Sequence, residues 1–212
     1  KKPPKYPKIK DTGFELRDYQ VECIQKIKKS KKNLTICLPT GTRKNIIIIH
    51  SLRTKLKYLI MVPRIILMDQ LREEIIKHRP ELKSTVQLIG DGNNDYDTNK
   101  KITICVYNSA HIIKKYMDDF SKIYIDEAHH IYKPEIYTID NDEEEDSDEE
   151  VEDDSEDEIE ETSKYTQIIK SMTKLDNNIY LSATIDQYEG FDYYKKEIRE
   201  MIEQKYLCDY TI

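Results

Sequence analysis

Six short apolar segments, each followed directly by polar residues, are the feature of this sequence that most constrains its fold. They alternate with segments whose apolar residues recur at helical spacing, among them Arg17 to Lys29 and Ile65 to His78. Because the short segments are continuously apolar, they predict strands buried on both faces of a parallel sheet, and therefore an α/β fold. The six predicted strands are NLTICLP (33–39), KYLIMVP (57–63), STVQLIG (84–90), KITICVY (101–107), SKIYIDEAHH (121–130) and NIYLSAT (178–184).

The polar residues that follow the predicted strands indicate where a ligand would bind. Between the strands we predict further helices at Lys44 to Arg53, at 109–117, near 164–173 and near 192–205. In open α/β sheets of this kind, ligands bind beyond the carboxyl ends of the strands. The polar segments at those ends are PTGTRKN, VPR, GDG, YNS, DEAHH and SAT. Their shared placement predicts a functional site along one edge of the sheet.

The charge of the chain is divided between a basic body and one acidic segment. Asp140 to Glu161 contains 17 acidic residues and no basic ones, and removing these from the total of 41 leaves 24 acids against 34 Lys and Arg, a net charge of +10. A basic body suits a polyanionic partner such as nucleic acid, although a general abundance of lysine explains the charge equally well. We predict a disordered acidic insertion at about 138–163. It is either a tolerated solvated loop or a mimic of nucleic acid that competes for the basic surface.

The chain ends and the cysteines narrow the class of protein. Residues 1–13 are basic and proline-rich and predict an extended arm, which leaves 14–212 as one domain; the start at Lys1 leads us to expect a fragment. No apolar segment approaches the roughly 18 residues of a membrane span. The four cysteines form no C-x-x-C pair, which predicts reduced thiols in a cytoplasmic or nuclear protein and no metal site. These cysteines are Cys23, Cys37, Cys105 and Cys208.

IDEAHH (125–130) is the most specific short motif of the sequence. Asp126 comes directly after an apolar strand, where an aspartate can hold Mg²⁺, and Glu127 beside it can orient or deprotonate an attacking water. The alternative is an ordinary strand end with solvated acids. His129 and His130 have no partner ligands at suitable spacing, so we predict no histidine metal site.

The order of the motifs resembles that of superfamily 2 helicases and translocases. D-E-A-H after an apolar strand, S-A-T at 182–184 and P-T-G-x-x-K upstream look like the first RecA-like domain of the DEAH-type members, over roughly residues 14–190. The resemblance implies a RecA-like three-layer sandwich with a mostly parallel central sheet of the P-loop NTPase type. The Ile- and Lys-rich composition and the acidic insertion further resemble helicases of large DNA viruses.

The resemblance also implies roles for residues outside the phosphate loop. FELRDYQ (14–20) is similar to the family's adenine-reading motif, in which Gln20 hydrogen-bonds the base and Arg17 lies near it. Coupling of nucleotide state to strand binding is implied for His129, Ser182, Ala183 and Thr184. Nucleic-acid contacts are implied for Pro63, Arg64, Gly92, Tyr107, Asn108 and Ser109. For the YNS segment, capping of the following helix is an equally good interpretation.

The segment PTGTRKN (39–45) resembles a Walker A phosphate loop with two substitutions. The residues that would bind the phosphates are Thr40, Gly41, Thr42, Arg43, Lys44 and Asn45. Arg43 stands where the family has glycine, and forcing an arginine into a left-handed conformation costs about 1–2 kcal/mol. Asn45 replaces a hydroxyl residue and would offer Mg²⁺ an amide oxygen beside Asp126, so we expect weaker metal binding. The alternative is a loop that no longer binds nucleotide.

These motifs predict the N-terminal motor domain of an ATP-dependent nucleic-acid helicase or translocase that uses ATP and Mg²⁺, with DNA favoured over RNA. Glu127, Lys44 and Asp126 would form its catalytic set. The resemblance implies a second RecA-like domain of the same polypeptide, which we expect to lie outside this chain. We therefore expect the isolated domain to be a monomer with little or no ATPase activity. The alternatives are a non-catalytic binding or scaffold module and a translocase subunit of a restriction-type complex. We expect a cytoplasmic or nuclear location, or the host cytoplasm or virion for a viral protein.

Overall fold

A single parallel sheet forms the centre of the molecule. The structure is a computed structural model that describes residues 15–131, 166–172 and 176–208; the predicted basic arm and the predicted acidic insertion lie outside these residues. The strands are β1 (Leu34–Cys37), β2 (Tyr58–Val62), β3 (Val86–Ile89), β4 (Ile102–Val106), β5 (Lys122–Asp126), β6 (Ile179–Ser182) and β7 (Asp192–Lys195). All pair in parallel, in the order β3-β4-β2-β5-β6-β1-β7.

Helices cover both faces of this sheet and complete a three-layer α/β sandwich. They are α1 (Asp18–Lys29), α2 (Lys44–Ser51), α3 (Ile65–His78), α4 (Ala110–Ile113), α5 (166–172) and α6 (Ile198–Glu203). Most buried apolar residues of α1, α2, α3 and α6 belong to one hydrophobic core, and those of α4 and α5 belong to a second core. The sheet separates the two cores.

The strand β2 shows why the predicted strands are continuously apolar. All five of its residues are buried. Ile60 and Val62 belong to the core under α1, α2 and α3, whereas Leu59 and Met61 belong to the core on the opposite face. Because successive side chains of a strand point to opposite faces, a strand covered on both faces needs an apolar residue at every position.

The predicted helix near 192–205 is wrong in its first residues. Asp192–Lys195 instead forms the edge strand β7, in which Tyr194 lies opposite Ile36 of β1. Tyrosines favour a pleated, half-buried surface, and the Asp192 N–H donates to the Asn33 carbonyl at 2.8 Å. The helix α6 begins only at Ile198.

The predicted helix at 109–117 is also shorter than expected. Only Ala110–Ile113 is a regular α-helix, and 3₁₀ turns precede and follow it at Tyr107–Ser109 and Lys114–Asp119. Tyr116 has a non-helical conformation, with φ −110°, and its ring packs 4.4 Å from that of Tyr96. Tyr116 therefore packs against the segment that follows β3 at the point where the backbone departs from a helix.

The cysteines are free thiols. Cys23, Cys37 and Cys105 are buried and Cys208 is exposed. The part of the chain that the structure describes contains no helix long and apolar enough to cross a membrane. Within those same residues, no cluster of three or more His, Cys, Asp or Glu side chains is arranged to hold a metal ion.

Candidate nucleotide site

The predicted phosphate loop connects β1 to α2 in a tight turn. Thr42 is fully buried, and its N–H and hydroxyl both donate to the Pro39 carbonyl, at 3.4 and 2.7 Å. Arg43 has φ 53° and ψ 57°, the left-handed conformation in which glycine is normally found. Lys44 is the first residue of α2, so the loop ends at a helix N-terminus, where unpaired N–H groups favour an anion.

The amine of Lys44 contacts the carboxylate that follows β5. Its Nζ lies 3.3 Å from Oε1 of Glu127, and the Lys44 side chain is only 9% exposed. Asp126 is the last residue of β5, and Glu127 follows it with φ 50°. The structure therefore brings Lys44, Asp126 and Glu127 together at the carboxyl edge of the sheet, where all three line one cavity.

A polar chain of contacts continues from Glu127 to the end of β6. Nδ1 of His129 lies 3.4 Å from Oε2 of Glu127 and 2.9 Å from Oγ of Ser182. The Thr184 N–H donates to the same Ser182 oxygen at 3.2 Å. Ala183 accepts a weak hydrogen bond from the Cys37 thiol through its carbonyl, at 3.5 Å. His129 thus links the carboxylate beside Lys44 to the strand end that carries the S-A-T motif.

The carboxyl group of Asp126 is held in a costly position for a charge. Its side chain is buried, and this burial raises the pKa of Asp126 to about 6. The neighbouring Glu127 carboxylate raises the pKa further, whereas the Lys44 amine lowers it. Oδ1 of Asp126 is buried and has no hydrogen-bond partner among the residues that the structure describes. A buried carboxylate oxygen with no protein donor fits a hard cation such as Mg²⁺. Asn45 lines the same cavity. Its side-chain amide oxygen is also a ligand suited to a hard cation.

The cavity beside the loop has a volume of about 520 Å³. It is lined by Thr40, Gly41, Arg43, Lys44, Asn45, Ile46, Leu67, Glu74, Lys77, His78, Asp126 and Glu127. The four lining residues from α3 were not predicted as site residues. Leu67, Glu74 and His78 are seven and four positions apart, which places them on one stripe of the helix. That spacing was available in the sequence, but nothing local indicated that the stripe faces the loop.

The start of α1 is attached to the phosphate loop. The Tyr19 hydroxyl donates to the Thr42 carbonyl at 2.8 Å, and Nε2 of Gln20 donates to the same oxygen at 3.4 Å. Oε1 of Gln20 accepts from the Arg17 N–H at 3.0 Å. Gln20 is buried, so its amide is already engaged with the loop and the helix start. The predicted base-reading residues Arg17 and Gln20 therefore lie beside the predicted phosphate site.

Comparison with known proteins identifies the family. The profile described as "Type III restriction enzyme, res subunit" matches residues 13–187. The chain belongs to this family. It is 38% identical, over 107 residues, to the "DNA 3'-5' translocase XPB2" of Sulfurisphaera tokodaii, an alignment that covers 50% of the chain and 23% of that relative.

Solved structures share the fold of this family member. The UvsW helicase from bacteriophage T4 superposes with a TM-score of 0.59 at 17% identity, covering 86% of the chain and 61% of that structure. The Sulfolobus solfataricus SWI2/SNF2 ATPase core in complex with dsDNA superposes with a TM-score of 0.56 at 17% identity, covering 81% of the chain and 32% of that structure. These matches confirm the predicted α/β, P-loop NTPase-type fold, and the family supports a superfamily 2 helicase RecA-like domain. The chain spans less than two thirds of each of these relatives.

The residues predicted to contact nucleic acid follow β2, β3 and β4 at the same sheet edge. Arg64, Asn108 and Gly92 are exposed, and Pro63 and Ser109 are partly exposed. The prediction that Tyr107 contacts nucleic acid is wrong, because its side chain is buried and its hydroxyl donates to the Asp126 carbonyl. Tyr107 therefore supports the end of β5 and has no surface to offer a nucleic acid. Ser109 makes no side-chain capping hydrogen bond, so the capping interpretation of YNS is not favoured either.

Proposed function

We propose that this family member is the ATP-binding motor domain of an ATP-dependent DNA helicase or translocase. The observation that carries the proposal is the 3.3 Å contact between Lys44 Nζ and Glu127 Oε1, in the cavity lined by the phosphate loop and Asp126. A lysine at a helix N-terminus and two carboxylates at a strand end are the groups that nucleotide hydrolases use on a triphosphate.

The contact also suggests how the site responds to ATP. A bound γ-phosphate competes with Glu127 for the Lys44 amine, because both are anions within reach of one cation. Once released, the Glu127 carboxylate is free to orient and deprotonate an attacking water. His129 follows Glu127 and contacts Ser182, so a change at the phosphate is passed to the end of β6.

Magnesium fits the same residues. Asp126 and Asn45 would hold the ion, which when bound supplies charge neutralisation at the β- and γ-phosphates. The unpartnered Oδ1 of Asp126 supports this assignment. Asn45 offers a neutral oxygen in place of a hydroxyl, and we expect weaker metal binding than in a loop with serine or threonine.

DNA is the substrate that the relatives favour. One relative is named a DNA translocase, and one structural neighbour was solved with dsDNA. Arg64, Asn108, Ser109 and Gly92 would contact the nucleic-acid backbone from one edge of the sheet. We propose that a second RecA-like domain of the same polypeptide completes the motor, and that this domain alone is a monomer with little or no ATPase activity. A cytoplasmic or nuclear location, and an origin in a large DNA virus, stay predictions.

Two other functions use the same fold. A non-catalytic binding module is favoured by the left-handed Arg43 and by Asn45, both of which weaken a phosphate loop. A translocase subunit of a restriction-type complex is favoured by the description of the family. The first differs from the motor in ATP hydrolysis, and the second differs only in its partner domains.

Hydrolysis by the full-length protein tests the proposal. We expect DNA-stimulated release of phosphate from ATP, and Glu127→Gln should abolish this release while ATP still binds, because the amide keeps the side-chain shape but accepts no proton. Glu189→Gln, the same change at an exposed glutamate that does not line the cavity, is the matched control. ATP binding without hydrolysis in the wild type, with or without DNA, would leave only the binding-module function.

A further inference from the structure

The turn after α6 is built against the phosphate loop. Leu207 Cδ2 lies 3.3 Å from the position that a Cβ atom would occupy on Gly41, which has φ 84°. The turn is fixed by hydrogen bonds from the N–H groups of Tyr206 and Leu207 to the Met201 carbonyl, at 2.8 and 3.2 Å. Lys205 adopts φ 60° to make this helix end possible. The turn therefore has a defined position beside the loop.

Arg17 is bound to this turn in two ways. Its Nη1 donates to the Tyr206 carbonyl at 2.8 Å, and its guanidinium lies over the Tyr206 ring, 5.7 Å from the ring centre. No carboxylate among the described residues forms an ion pair with Arg17. Tyr206, a residue 189 positions away along the chain, therefore holds the guanidinium together with the neighbouring Tyr19 side chain, which also interacts with Arg17.

Tyr206 is in turn held by the start of α1. Its ring meets the edge of the Tyr19 ring, with centres 5.0 Å apart and planes at 65°. Its hydroxyl donates to Oδ2 of Asp18 at 3.4 Å. Because Tyr19 also donates to the Thr42 carbonyl, an unbroken set of contacts runs from the phosphate loop through Tyr19 to Tyr206 and Arg17.

We propose that Tyr206 is a positioning residue for recognition of the nucleotide base, acting through Arg17; this inference rests on the proposed ATP site. In a nucleotide, one ribose separates the base from the phosphates. A nucleotide whose phosphates bind at Gly41 and Thr42 can therefore place its base against the adjoining surface, which contains Arg17. A guanidinium with one face covered by an aromatic ring presents its other flat face for stacking on a base. Without the ring, the hydrogen bond from Nη1 to the Tyr206 carbonyl remains, but the plane of the guanidinium is no longer fixed and it meets the base less often.

A comparison of two ligands separates this role from simple packing. Mg-ATP carries a base, whereas magnesium tripolyphosphate offers the loop a similar anion without one. In calorimetric titrations of the full chain, Tyr206→Ala should weaken ATP binding about tenfold, a loss within the range for one base stack. Binding of tripolyphosphate should stay unchanged. Tyr206→Phe, which keeps the ring, should bind both ligands like the wild type.

Tyr116→Ala is the matched control, because Lys115 lies over the Tyr116 ring at 4.9 Å in the same kind of pair, away from the loop. Tyr206→Leu keeps most of the volume and repeats the test if Tyr206→Ala unfolds. An equal loss of both ligands, or wild-type ATP binding by Tyr206→Ala and Tyr206→Leu, would overturn the inference. A wild-type chain that binds neither ligand would instead overturn the proposed ATP site, and this inference with it.

Discussion

Replacing Arg43 by glycine should stabilise the protein, which is an unusual expectation for an arginine at a helix start. Arg43 precedes α2 with φ 53° and makes no side-chain capping hydrogen bond. Relief of a left-handed non-glycine residue is worth about 1–2 kcal/mol, and the extra freedom of glycine in the unfolded chain costs roughly 0.5–1 kcal/mol. The free energy of unfolding should therefore rise by about 0.5–1 kcal/mol for Arg43→Gly.

Arg64 offers a matched control for this prediction. It also precedes a helix, α3, and makes no capping hydrogen bond, but its φ is −139°, an extended conformation open to any residue. Arg64→Gly relieves no backbone strain, and its free energy of unfolding should therefore fall by about 0.5–1 kcal/mol. Urea denaturation of both variants at one pH measures the two free energies, with unchanged m-values as the check. If Arg43→Gly destabilises the protein as much as Arg64→Gly, the reasoning about the left-handed arginine is wrong.

Three further predictions concern pH, a helix end and coupling. Burial first, then the charges of His78 and Arg79, lower the pKa of His50 to about 4. Its contribution to stability is therefore complete above the ordinary pKa of about 6.5 and is lost as pH falls towards 4; His50→Gln should flatten this part of a stability-against-pH curve. Lys205→Gly should raise the free energy of unfolding by about 0.5–1 kcal/mol, since Lys205 has φ 60° at the end of α6, and a decrease in urea denaturation would contradict this. Ser182→Ala removes the β6 partner of His129 and leaves the contact of His129 with Glu127. ATP affinity should therefore hold while DNA-stimulated hydrolysis falls about tenfold, and equal losses in binding and hydrolysis would argue against a coupling role.

Residues in regular elements were predictable because their signals are local. The apolar spacing of Ile65 to His78 gave the bounds of α3 correctly. Strand ends could be placed at one edge because parallel strands share a direction, which is why Lys44 and Glu127 could be expected near each other. Arg43 could be expected in a left-handed conformation from its position in the loop motif.

Other features depend on contacts between distant segments, for which the sequence carries no local signal. Tyr107 follows its strand as predicted, but its side chain is buried and its hydroxyl is paired with the Asp126 carbonyl of another strand. Glu74 reaches the cavity only because α3 packs beside the loop. The contact between Arg17 and Tyr206 joins the two ends of the described chain. Each of these requires knowledge of how the elements pack, which periodicity does not supply.

Calorimetric titration of the full-length protein with Mg-ATP tests most directly whether Lys44, Asp126 and the loop form one triphosphate site. We predict saturable binding in the wild type and a loss of at least about tenfold for Lys44→Ala, because removal of the amine leaves the phosphate charge without its cation. Lys55→Ala, which removes an exposed lysine between α2 and β2, should bind as the wild type does. Equal affinity for ATP in the wild type and Lys44→Ala, or no binding by the wild type, would contradict the account.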